Sequence, residues 1–146
     1  MAVLTKVKPT ADTLFHIEWD WFRRHHVETA ILLREQLCPE CRHALDEGKL
    51  TGDVDWIDPD TGEVFRVDAV REAILSHCRW KPEYISATTP LITAIFRTLL
   101  ANNNRPLSAR ALAQRLARWD TDTILSVLSR GDVKWGIVPA DVENEA

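Results

Sequence analysis

Cys38-Pro39-Glu40-Cys41 carries two thiols at the spacing of a metal knuckle, and Cys78 is the only other cysteine in the chain. Two intervening residues bring both sulfurs to one side of a turn, where a thiolate pair can take a soft or borderline cation. Zinc would need four donors in a tetrahedron, usually thiolate or imidazole. With Cys78 as a third donor, the fourth falls to a histidine. If residues 20–37 form one helix, His25 and His26 lie about 18 Å up its axis from Cys38, at ~1.5 Å per residue. His16 is farther still. His43, two residues beyond the knuckle, and His77, beside Cys78, remain. Neighbouring helical residues point about 100° apart, so His77 and Cys78 can share an ion only where a helix end loosens. Trp80-Lys81-Pro82 places such an end close by, which favours Cys38, Cys41, Cys78 and His77 over the set with His43.

Two other readings of these thiols compete. Without metal, Cys78 is a small buried hydrophobe and Cys38 and Cys41 are free thiols at a helix start. As a redox pair, Cys-x-x-Cys calls for a thioredoxin-like βαβ setting, and the surrounding pattern does not supply one. Other chemistry is thin. His25-His26, flanked by Arg23-Arg24, reads as a solvated helix face. His16 with Glu18 and Asp20 lacks a second cluster to work against. Asp53, Asp55, Asp58 and Asp60 have no bidentate Glu where a calcium loop needs one. No Gly-rich phosphate loop and no Gly-x-Ser-x-Gly elbow occurs, so the expectation is a protein that is not an enzyme.

The elements that would position these residues read as α+β, mostly helical. Hydrophobic residues make up 45% and charged residues 27% of 146, the balance of a globular chain rather than a disordered one. No apolar run reaches the ~20 residues of a membrane helix. MAVLTKVKPTADT lacks the apolar stretch of a signal peptide, so a cytoplasmic protein is expected. Residues 15, 17, 19 and 21 alternate as a short strand would, and helical spacing follows from Asp20 to Leu37. A short helix over 40–47 should stop at Gly48. DVDWIDPDTGEVFRV reads as a β-hairpin turning at Asp58–Gly62. Asp68 can cap a helix over 69–79. These elements make a first subdomain, 1–86, with helices, a hairpin and the zinc knuckle. A second unit covers 87–140, and an acidic tail covers 141–146.

In the second unit, 91–101 reads as a helix broken by Asn102-Asn103-Asn104. Ser108 caps a helix over 109–116, Asp120 caps one over 121–129, and 133–138 reads as a strand. The order, together with RPLSARALAQRL and TDTILSVL, resembles the winged helix-turn-helix superfamily over residues 90–139. That resemblance implies a recognition helix at 121–129 and a wing at 133–138. It would place Thr121 and Ser126 toward base edges and Arg118, Arg130 and Lys134 toward phosphates. The charge balance bears on this. The chain is −4 overall, yet residues 90–139 carry four more basic than acidic groups. Against it, Asp120 and Asp122 would face a polyanion at the helix N-terminus, where phosphates are usually received. The expectation is a regulatory or adaptor protein holding structural zinc, with a winged helix that contacts double-stranded DNA. The alternative is a winged helix that docks on a protein or on a second copy of the chain.

Overall fold

Phe15 and Ile17 are buried while Leu14 and His16 are half-exposed, the alternation of a strand with one face on a core. This is β1, Leu14–Ile17, in a computed structural model that describes residues 8–130 and 135–140. The alternation does not run on as the sequence suggests. Trp19 and Trp21 belong to the helix α1, Trp19–Arg24, where Asp20 pairs with Arg23 and Arg24 three and four residues on.

The single helix expected over 20–37 is two: α1, and α2 at Thr29–Glu35. Between them His26 is left-handed at φ 56°, and the Val27 amide donates back to the Phe22 carbonyl at 2.8 Å. That is a helix-ending geometry. His25 stacks on Trp21 with ring centroids 4.2 Å apart. Phe22 and Leu33, on the two sides of the break, are both buried in the core.

Helix α3, Pro39–Asp46, starts with Pro at its first position and Cys38 as its N-cap residue. Gly48 follows it at φ 79°. The hairpin is β2, Asp53–Ile57, against β3, Val64–Asp68, in antiparallel register from Asp53↔Asp68 to Ile57↔Val64. Asp58 closes its turn: its amide donates to the Glu63 carbonyl, and its side chain accepts from the Asp60 amide. Asp68 then caps α4, Ala69–Ser76, by accepting from the Arg71 amide at 2.8 Å. This helix stops three residues before the expected end and passes into a 3-10 turn at Cys78–Trp80.

The remainder runs α5, Leu91–Ala101; β4, Leu107–Ser108; α6, Ala109–Leu116; α7, Thr121–Leu128; and β5, Ile137–Pro139. Ser108 and Asp120 cap α6 and α7 through the Ala111 and Thr123 amides, as their positions predict. The final strand is shorter than expected. Trp135 and Gly136 form a turn with positive φ, so pairing begins only at Ile137, and 131–134 lie outside the described residues.

One sheet joins the two ends of the chain. Its order is β4-β1-β5, with Phe15 opposite Leu107 on one side and Pro139 on the other. It therefore crosses the division placed at residue 86. The pairing of β1 with β4 is extended by a side chain. The Asn104 amide accepts from the Ile17 N–H and donates to the Ile17 carbonyl, both at 2.8 Å. Beneath the sheet a continuous core includes Phe15, Phe22, Ile74, Phe96, Leu112 and Ile124. Trp56, Val67 and Leu75 form a second cluster under the hairpin.

Gly136 locks β5 against α1. Its carbonyl accepts from the Glu18 amide at 2.8 Å, and its φ is +68°. A Cβ there would stand 2.9 Å from both the Glu18 carbonyl oxygen and the Phe22 ring. Gly136→Ala combines that overlap with left-handed strain, and is expected to cost about 2 kcal/mol or more. The readout is a lower urea midpoint at unchanged m-value.

Candidate metal centre

Helix geometry assembles half of the centre. Cys38 precedes α3 and Cys41 lies one turn along it, so the two thiols face the same side. His77 comes from the end of α4, where its φ of −132° and ψ of −62° leave helical values. Its side chain is thereby freed from the direction it would have on a continued helix, the loosening that the sharing of an ion demands. One ring nitrogen of His77 and the sulfurs of Cys38 and Cys41 all lie within 4.8 Å of one another. Zinc bonded at about 2.0–2.3 Å to tetrahedral donors would draw such atoms to below 4 Å. A small inward movement of three side chains closes the difference.

Cys78 is not one of this set of three, although its thiol neighbours those of Cys38 and Cys41. It is 1% exposed, and its sulfur accepts from the Cys38 backbone N–H at 3.2 Å, so it packs against the knuckle from the core side. The thiols differ in acidity. Burial opposes ionisation of Cys38, but the amides of Cys41 and Glu40 and the neighbouring thiols outweigh it and hold its pKa below the usual value. Burial raises Cys41 and pushes Cys78 far up. Cys38 is thus the first thiolate, the form that binds metal.

Charged neighbours complete the surroundings. Glu40, inside the knuckle, lies 2.8 Å from Lys81 Nζ and 3.6 Å from His77 Nε2. Lys81 above all, then His77, holds its carboxyl below the ordinary range. A carboxylate beside a ligating imidazole fixes the ring's orientation and raises its basicity. The role of Glu40 was not read from the sequence, although its position between the two cysteines was a signal. His43 is not part of the centre: it is exposed and pairs with Glu47 at 3.1 Å.

Of the residues that the winged-helix resemblance assigned to DNA, Arg118 is bonded within the chain. Arg118 donates through Nη1 to the carbonyls of Ser86 and Thr89, at 3.1 and 2.9 Å, and its guanidinium lies 4.1 Å from the Trp119 ring centroid. Arg110 pairs with Asp12 at 3.0 Å. Thr121 is half-buried, and Ser126 and Arg130 are exposed. Lys134 lies outside the described residues. Asp120 is occupied as the cap of α7, and its pKa is held down by the Thr123 amide. The structural job of Arg118, tying the start of α7 to the loop before α5, was not foreseen.

Comparison of the chain with protein-family models, curated proteins and solved structures gives no match. Among the described residues, no helix is long and apolar enough to cross a membrane.

Proposed function

We propose that this chain is a non-enzymatic binding protein whose first half is clamped by a structural zinc ion. Cys38, Cys41 and His77 would hold the ion, with Cys78 as the fourth donor. The observation that carries this reading is the convergence of two thiols and an imidazole within 4.8 Å, from two separate elements. Thiolate and imidazole together favour zinc over hard cations such as magnesium or calcium. The ion would fasten the start of α3 to the end of α4. Elemental analysis of the purified protein tests this. One zinc per chain is expected, reduced in Cys78→Ser, and a metal-free wild type overturns it.

For the C-terminal part, the succession α5, β4, α6, α7, β5 supports a winged helix-turn-helix module. The insertion of β1 between β4 and β5 is its departure from that plan. We infer that the module meets a protein rather than DNA. The support is electrostatic: Arg118 and Arg110 are engaged within the chain, and Asp120 and Asp122 stand at the start of α7. Neutralising phosphates releases counterions, so a DNA binder weakens steeply as salt rises. Titration with random duplex at low salt is expected to give no binding. Binding with a negative salt slope would restore the DNA reading.

A further inference from the structure

Arg42 on α3 and Arg97 on α5 line one cavity of about 230 Å3, beside the buried faces of Cys38 and Cys78. Arg97 is held in place. Its Nε donates to Gln36 Oε1 and its Nη1 to the Tyr84 carbonyl, both at 2.7 Å, while the Tyr84 hydroxyl donates back to the Arg97 carbonyl. Gln36 is 3% exposed and is itself fixed by donating to the Leu32 carbonyl. Arg42 donates through Nη2 to the Leu37 carbonyl at 3.0 Å, and more weakly through Nε to Arg34. Each guanidinium therefore keeps one terminal nitrogen without a partner among the described residues.

Neither arginine has a carboxylate within ion-pair distance among the described residues, although the chain is acidic overall. Glu35 and Glu83 also line the cavity, but their charges act on Arg34 and Lys81. Arg97 feels mainly burial, which opposes its charge, then the offsetting Tyr84, and the like charge of Arg42. Two rigid, partly desolvated cations facing one small cavity are a costly arrangement unless an anion joins them. A zinc ion with three thiolates and an imidazole would carry one net negative charge, which is one short of two guanidiniums.

We propose that this cavity is an oxyanion site that takes a phosphate dianion, bridged between Arg42 and Arg97. Each guanidinium offers its remaining terminal nitrogen to a phosphate oxygen, and Arg42, Arg97 and Lys81 outweigh Glu35 and Glu83 on the cavity wall by one positive charge. The cavity is too small for a large organic ligand, so the recognised part is the phosphate itself. It comes either as the free ion or as the end of a phosphomonoester. The inference does not depend on zinc being bound.

Calorimetric titration of the whole protein with inorganic phosphate, at matched chloride ionic strength, tests it. O-phosphoserine forms a second arm. Metal content is measured before and after, so that stripping of a metal is not mistaken for binding. Saturable 1:1 binding is expected, weakened about tenfold or more in Arg42→Gln. Arg97→Lys, which keeps a donor toward Gln36, serves as a second variant, checked for native thermal unfolding. Tighter binding of O-phosphoserine identifies a monoester, and binding of inorganic phosphate alone identifies the free ion. No saturable binding to the wild type overturns the site, as does equal binding by wild type and Arg42→Gln.

Discussion

If the proposed zinc is bound, removing it by chelation, or replacing Cys41 with Ser, is expected to lower the melting temperature by about 10 °C. Structural zinc binds with about 10–16 kcal/mol in small peptides that are unfolded without it. Here only part of that should appear as stability, because the core from Phe15 to Ile137 extends far beyond the cysteines it includes. A loss of about 3 kcal/mol is a reasonable share, and a domain of this size moves about 3 °C per kcal/mol. Cys41 is the informative position. Cys38 and Cys78 are 6% and 1% exposed, so serine at either would also bury a hydroxyl. Cys41 is only half-buried, and its replacement isolates the ligand. An unchanged melting point after complete loss of the metal would show that the ion has no structural role.

Asn104→Ala should cost about 3 kcal/mol, far more than a half-exposed loop residue usually does. The Asn104 amide does for Ile17 what a residue of a neighbouring strand does in an antiparallel pair, exchanging both hydrogen bonds. Truncation leaves a donor and an acceptor of the central strand unpaired, each worth roughly 1–3 kcal/mol if water does not reach it. Position 104 is also left-handed, with φ 58°, which asparagine tolerates better than alanine. Asn104→Gly separates the two contributions. It should recover about 1 kcal/mol of the loss by relieving the backbone, and none of the hydrogen bonding. Urea unfolding of the three proteins reads this directly. An alanine variant within ~0.5 kcal/mol of the wild type would mean the bridge contributes little.

What could be read from the sequence was local. Asp68, Ser108 and Asp120 stand at helix starts because their side chains bond amides three residues on, an interaction written within four positions. The hairpin declared itself through Asp58–Gly62, whereas the helix before His77 ends at Ser76, well ahead of Pro82. The missed features depend on distant partners. β4 is two residues long and exists only because β1 lies beside it. The break at His26 leaves the helical spacing of apolar residues intact, since Phe22 and Leu33, eleven apart, would share a face with or without it, and so spacing alone could not reveal it. Arg118 looked like a phosphate ligand because its two acceptor carbonyls come from a loop about thirty residues earlier. The candidate site was easier to read than the sheet, since its first two ligands share one turn. The pairing of Glu40 with Lys81 and His77 escaped, because those partners lie about forty residues on.

The central strand has a consequence for how the chain is made. β1 is synthesised well before its bridging side chain, Asn104, which lies 87 residues beyond Ile17. β5 comes later still. Until then Phe15 and Ile17 form an unpaired, apolar strand edge, the kind of surface that invites association between nascent chains. Closing contacts at such separation raises contact order and slows folding. The hairpin and helices α3 to α5 can form from local contacts while synthesis continues. The sheet therefore stays open until β5, the last strand among the described residues, has been made.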